Sequence, residues 1–241
     1  VVTVCFHGAG THTECIGHIT TCGATVDAVA RDLAAPVVCA TGLALLLTPE
    51  ITVLDEATAA ALASSDDPDM CYPNAAVGDR VVSRAALDSA FASHAAALAA
   101  WADANVPLAA LCIRTMAPEV SRQAAAAMAY SGTNPVYLLP EAAAWVASLG
   151  VNHLVIDLPS MDREDDGGGL RAHRAFWGVD VEFNGPADAA TRCRATITEM
   201  AYFGAELTDR VYGLSLGIAP VTLDAAPSRP IFFDLPSPPS A

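Results

Sequence analysis

Positive charge is scarce in this 241-residue sequence, with 12 Lys+Arg against 27 Asp+Glu and a formal net charge of −15. The cationic residues are scattered, so no basic stripe can meet a phosphate backbone. Nucleic acid and anionic membrane surfaces are excluded as expected partners. Charged residues make up only 16% against 53% hydrophobic, which excludes a disordered chain and leaves enough apolar material for one sizeable core. Seven cysteines are present, an odd number with no Cys-x-x-Cys pair. A disulfide framework is therefore not expected; reduced thiols in a cytoplasm are. No apolar run spans a bilayer, since Gly42 to Leu47 is short and Pro49 and Glu50 follow it. No secretory leader is visible, although the chain starts at Val1 without a Met, which leaves targeting open. Internal repeats and strong linkers are also missing, so residues 1–241 read as a single domain with 234–241 as a flexible Pro/Ser-rich tail.

What is there reads as alternating elements. Val1 to Phe6 has the pattern of an opening strand, and a helix is expected near Ala57 to Ala63. Ser64 to Asp69 is a surface turn. Leu87, Phe91, Leu98 and Trp101 follow helical spacing, with Ser83 as cap and Asn105 and Pro107 ending one long helix. Leu108 to Ile113 and Val151 to Leu158 are apolar runs of the kind found in strands covered on both faces. Between them Tyr130 to Pro135 is a loop, Pro140 opens a helix and Gly150 follows its end. Ala195 to Phe203, carrying Glu199, and Val211 to Pro220 are further strand candidates, and Asp162 to Gly169 reads as a mobile loop able to close over a substrate. This rhythm predicts an α/β or mixed fold.

Of six histidines, His7, His12 and His18 fall close together, with Glu14 between the last two. Imidazole and carboxylate are the usual ligands of zinc and similar divalent ions. On an extended segment His12 and Glu14 share a face. Gly8, Gly10 and Gly17 let the backbone bend around them. The spacing alone leaves two readings, a metal site and a polar loop whose histidines bond to backbone.

Gly10-Thr11-His12-Thr13-Glu14-Cys15-Ile16-Gly17-His18 resembles the Gly-Thr-His-x-Asp-x-Pro-x-His signature of the kynurenine formamidase–like cyclase family. Four further segments resemble that family in order: Ile156-Asp157-Leu158-Pro159-Ser160-Met161-Asp162, Ala172-His173, Ile197-Thr198-Glu199-Met200 and Asp224 to Pro230. The likeness runs from Val1 to about Phe233 and is greatest to a bacterial branch that also carries Thr-His-Thr-Glu-Cys and Tyr-Ser-Gly-Thr-Asn-Pro. The resemblance implies an α/β fold of the swivelling β/β/α type, a mixed sheet with a barrel-like core and flanking helices, in a homo-oligomer. It implies a divalent metal, zinc foremost with manganese as the alternative. His12, Glu14 and His18 would be ligands, with His7 joining as a substitute. His173 and Glu199 would be catalytic, metal-holding, or both. The implied activity is hydrolysis of an amide or lactam in a small-molecule substrate, His173 serving as general base. Cyclase, dehydratase or lactone-hydrolase chemistry, and a non-catalytic metal- or ligand-binding role, are the alternatives. Three departures stand out: Glu14 replaces Asp, Ile16 replaces Pro, and the family's first histidine falls on Gly8, one residue from His7. One-metal and two-metal sites both remain compatible.

The remaining candidates have plainer readings. His94 and His153 are expected to be structural, Asp157 and Asp162 to cap turns, and Cys15 to be a packed thiol. Trp101, Trp145 and Trp177 are expected in the core, with Trp177 and Phe176 as candidate walls of an aromatic pocket. Gly167 to Gly169 lacks the strand–loop–helix context of a phosphate loop, so no nucleotide cofactor is expected.

Overall fold

A computed structural model describes residues 3–21, 23–33 and 39–238. Its strands are β1 (His12–Glu14), β2 (Cys39–Leu47), β3 (Thr52–Val53), β4 (Arg80–Val82), β5 (Leu108–Ile113), β6 (Tyr137–Leu138), β7 (His153–Ile156), β8 (Thr196–Glu199), β9 (Arg210–Ile218) and β10 (Ala225–Phe233). Its helices are α1 (Val26–Leu33), α2 (Glu56–Ala63), α3 (Arg84–Ala92), α4 (Ala95–Asp103), α5 (Arg122–Ala126), α6 (Pro140–Ser148) and α7 (Arg171–Trp177). Seven strands close into a mixed barrel in the order β1-β10-β9-β2-β5-β7-β8, and β3-β4-β6 form a small side sheet. β2, β5, β7 and β8 run parallel; β1, β9 and β10 close the ring antiparallel. This is the α/β barrel-like mixed sheet with flanking helices that the sequence implied.

Period-two alternation makes the two faces of the barrel wall. Leu45, Leu47, Leu111, Ile113, Leu154, Ile156 and Ile197 pack with Leu87 of α3, Val146 of α6 and Phe176 of α7. Ala44, Leu46, Ala110, Cys112 and Val155, one residue out of phase, face a second cluster with Tyr212, Leu214 and Leu216. The continuous apolar runs noted in sequence are strands buried on both sides. No helix among the described residues is long and apolar enough to cross a membrane.

Several boundaries differ from expectation, each for a local reason. The opening strand is absent from the described part of 1–6: residues 3–5 are irregular and Phe6–Gly8 form a 3-10 turn, while Val1 and Val2 lie outside the described residues. Gly10 at φ +135° breaks the extended run, so pairing begins at His12, which has Pro227 on one side and Glu199 on the other. The single long helix is two, α3 and α4. Ser83 caps α3 as expected, but the Ser93 hydroxyl donates to the Ala90 carbonyl and interrupts the ladder before His94. β7 is shorter than Val151 to Leu158, and β8 stops at Glu199 because Met200 turns to φ +52°. β10 was hidden by Pro227 and Pro230, residues that argue against a strand. The loop Asp162 to Gly169 is pinned rather than mobile. Asp166 accepts from the Gly168 and Leu170 amides, Arg163 pairs with Asp79, and Glu164 accepts from Gly132 and Asn134. Residues 234–238 have no regular structure, and the rest of the expected tail, 239–241, lies outside the described residues.

Candidate metal centre

The barrel register assembles the first half of the site. β1 alternation puts His12 and Glu14 on the same face, and the antiparallel match of His12 to Glu199 brings Glu199 of β8 onto it too. α7 then lays His173 over the three, with Nε2 2.8 Å from Glu14 Oε1 and 3.4 Å from Glu199 Oε1. All four side chains are buried.

Two 3-10 turns add the second half. The turn Ile16–His18 swings His18 back toward Glu14, with Nε2 3.8 Å from Oε2. Gly17 permits this approach, because a Cβ there would meet the Ala24 carbonyl oxygen at 2.0 Å. The turn Phe6–Gly8 brings His7 Nδ1 to 3.3 Å from the same Glu14 oxygen. The one-residue slip of His7 would reverse its face on a strand. It sits in a turn, where that alternation does not apply. All six residues singled out in the sequence therefore meet at one place: His7, His12, Glu14, His18, His173 and Glu199.

Each imidazole is held by its outward nitrogen. His12 Nδ1 donates to the Gly10 carbonyl at 3.0 Å, and His173 Nδ1 donates to Asp162 Oδ2 at 2.5 Å. His7 Nε2 and His18 Nδ1 both donate to Asp224 Oδ2, at 3.0 and 3.4 Å. These partners are pure acceptors, so each outward nitrogen carries a proton, and whenever the imidazole is neutral its inward nitrogen offers a lone pair. Four fully buried atoms facing inward have no hydrogen-bond partner among the described residues: His12 Nε2, His173 Nε2 and both oxygens of Glu14. Buried polar groups are almost always satisfied, and four orphans in one cluster fit a cation. The donors form two triads sharing Glu14, His12–Glu14–Glu199 and His7–Glu14–His18, each with its ligand atoms within 4.8 Å of one another. Nitrogen and carboxylate oxygen are donors that suit a divalent metal ion.

The charges need positive compensation. Burial alone would raise the Glu14 pKa, but His173, His7 and His18 together hold it well below the usual carboxylate range. Burial likewise opposes a charged His173, yet Glu14, Asp162 and Glu199 outweigh it and hold its pKa well above the ordinary value. Protons on the imidazoles and a divalent ion are alternative ways to balance two buried carboxylates.

Other candidates fall where their plainer readings put them. His153 bonds to the Thr196 hydroxyl at 2.7 Å, and burial lowers its pKa to about 4. Asp157 caps the turn after β5, accepting from the Thr115 and Met116 amides. Cys15 is buried, its thiol pushed up to about 12 by burial. Trp177 is fully buried against His173, ring centroids 5.7 Å apart, with its indole N–H donating to the Ala195 carbonyl. It therefore backs a site residue instead of walling a pocket.

Asp162 is the main departure. Beyond capping the start of α7 through the Ala172 and His173 amides, it orients His173 and accepts from the Tyr72 hydroxyl. The signal available was its place after Pro159-Ser160 in the second motif; nothing in the sequence marked Tyr72. Asp224, met only as the start of the last motif, is the other residue missed.

Fold and site together define a class, a closed mixed barrel carrying a histidine–carboxylate centre on its wall. The chain belongs to the cyclase family: the family model described as "Putative cyclase" matches residues 1–163, more than half of its length. That match includes His7 to His18 and Asp162; His173, Glu199 and Asp224 join them through the fold. A solved structure described as a potential metal-dependent hydrolase with cyclase activity is 15% identical, with a TM-score of 0.56, covering 98% of this chain and 83% of its own. An isatin hydrolase bound to the product analogue thioisatinate is 13% identical, with a TM-score of 0.51, covering 94% and 72%. Isatin hydrolase A of Labrenzia aggregata is 11% identical, with a TM-score of 0.50, covering 93% and 72%. At these identities the likeness is one of fold. No curated protein matches the sequence.

Proposed function

We propose that this protein is a metal-dependent hydrolase that opens an amide or lactam carbonyl of a small-molecule substrate. The observation that carries the reading is the convergence of His12 Nε2, His173 Nε2 and both Glu14 oxygens, buried and without a hydrogen-bond partner among the described residues, beside the carboxylate of Glu199. His12, Glu14 and Glu199 would hold one divalent ion, with zinc foremost and manganese second. His7, Glu14 and His18 would hold another. A divalent ion so bound lowers the pKa of water and polarises a carbonyl.

The chain's own residues supply the rest. Asp162 fixes the proton of His173 on Nδ1, which leaves Nε2 as a proton acceptor pointing at the centre. His173 takes the proton of the attacking water and returns it to the leaving nitrogen. The Met161 amide donates to Glu199 Oε1 at 2.8 Å and fixes that carboxylate. A cavity of about 840 Å³, walled by Gly8, Gly10, Thr11, Tyr130, Met200 and Tyr202, borders the loop between His7 and His12 and offers room for an aromatic substrate.

Formyl-amides of the kynurenine formamidase type are the first substrates to try. Lactams follow, because the fold is shared with an isatin hydrolase and isatin is a cyclic amide. The test is to strip the purified chain with a chelator and reload it with zinc or manganese. Hydrolysis of N-formylkynurenine, isatin and a simple lactone is measured at each stage. Activity on an amide that vanishes on stripping and returns on reloading is expected. A chain that takes up no metal, or works equally well without it, overturns the reading.

A further inference from the structure

Asp224 stands at the entry to β10, 38% exposed at its side chain. One oxygen, Oδ2, receives both His7 Nε2 and His18 Nδ1. The opposite nitrogens of the same two rings then face Glu14 Oε2, at 3.3 and 3.8 Å. The rings lie 4.4 Å apart by centroid, tilted 33°, so one carboxylate sets a pair. The Asp224 carbonyl accepts from the Cys15 amide at 3.0 Å, just ahead of the turn that carries His18. The next residue, Ala225, is the register partner of Glu14. The barrel thus fixes Asp224 against the turn whose histidine it holds.

A carboxylate behind a ligand imidazole fixes its tautomer and raises its basicity. Here a single group does this for two imidazoles at once. It also provides the anchor that brings His7 into the site from its out-of-register position.

We propose that Asp224 is the positioning residue of the outer triad, His7–Glu14–His18, orienting His7 and His18 together so that both present a lone pair to a divalent ion. This rests on the metal reading above. Asp224 itself need touch neither ion nor substrate. The inner triad, His12–Glu14–Glu199, does not depend on it, since His12 is held by the Gly10 carbonyl and Glu199 by the Met161 amide.

The test is a calorimetric titration of the metal-free full chain with Co²⁺, following the visible spectrum of the bound ion. Wild type, Asp224→Ala and Asp224→Asn are compared. Wild type is expected to bind two ions. In Asp224→Ala the outer ion binds roughly 10–100-fold more weakly with an altered spectrum, while the inner ion is unchanged. Asp224→Asn, which keeps one acceptor oxygen and nearly the same shape, gives a smaller loss and guards against misfolding of the alanine variant. Unchanged affinities and spectra in both variants overturn the proposal and leave the metal reading intact. Equal weakening of both ions also overturns it, because the effect is then not confined to the outer pair. A wild-type chain that binds no Co²⁺ sinks the metal reading itself, and this proposal with it.

Discussion

The two halves of the centre share Glu14 and differ in almost everything else. The inner half, His12, Glu199 and His173, has side chains no more than 4% exposed and is held by groups of the barrel and its helices. The outer half, His7 and His18, is 31% and 25% exposed and is held by a half-exposed aspartate. Water screens the outer contacts and leaves the inner ones at nearly full strength. The inner half is therefore preorganised by core packing, and the outer half depends on local turns and one rim carboxylate.

The comparison breaks most visibly at the residue the halves share. Glu14→Gln should remove metal from both triads and cut hydrolysis by roughly 10³-fold, several kcal/mol of electrostatic stabilisation. Metal content of the purified variant checks this, and a variant that keeps its full complement would show that the halves are independent.

Next in size is a contrast with a buried histidine whose ring bonds to the Thr196 hydroxyl instead of a carboxylate. His153 falls to about 4 from the ordinary 6.5 through burial alone, whereas His173, equally buried, is held up by carboxylates. Between those two values the unfolded chain binds a proton at His153 and the folded chain does not. Stability contributed by this site is thus lost as pH drops from about 6.5 to about 4, by at most about 3 kcal/mol. Urea unfolding of wild type and His153→Gln at pH 7 and pH 4.5 isolates the effect; the variant should lose less on acidification.

The inner half is sharpened by Asp162→Asn. The amide can no longer fix the His173 proton on Nδ1, so kcat should fall by roughly 100-fold with metal content unchanged. Parallel loss of metal would instead make His173 a ligand, the other role its motif implied. Tyr72→Phe has the smallest expected effect, about 1 kcal/mol, because Asp162 keeps its backbone donors. A fall in kcat of about fivefold with unchanged metal affinity would show the network reaching the inner half through Tyr72.

Legibility in the sequence followed the range of the interaction. The strands Leu108–Ile113 and His153–Ile156 were readable because burial on both faces writes itself as an unbroken apolar run. Helix starts at Ser83, which caps α3, and at Pro140, the first residue of α6, were readable because both signals are local. β10 was not, since two prolines contradict the propensity that barrel closure overrides. The loop 162–169 looked mobile from its glycines and charges, but Glu164 and Asp166 accept from backbone amides and Arg163 pairs with Asp79, and composition does not reveal partners.

The sequence by itself determined which side chains are chemically able to hold a cation and, through strand alternation, that His12 and Glu14 share a face. It also determined family membership, carried by the motifs near the start of the chain. Only the tertiary structure decided that His7 comes within 3.3 Å of Glu14, that Asp162 bonds to the His173 ring as well as capping, and which nitrogen of each ring faces inward. The physical reason is distance along the chain: His7 and Asp224 lie 217 positions apart, His12 meets Glu199 through strand register, and His173 meets them through helix packing. Those contacts are set by pairing and packing that no local pattern encodes.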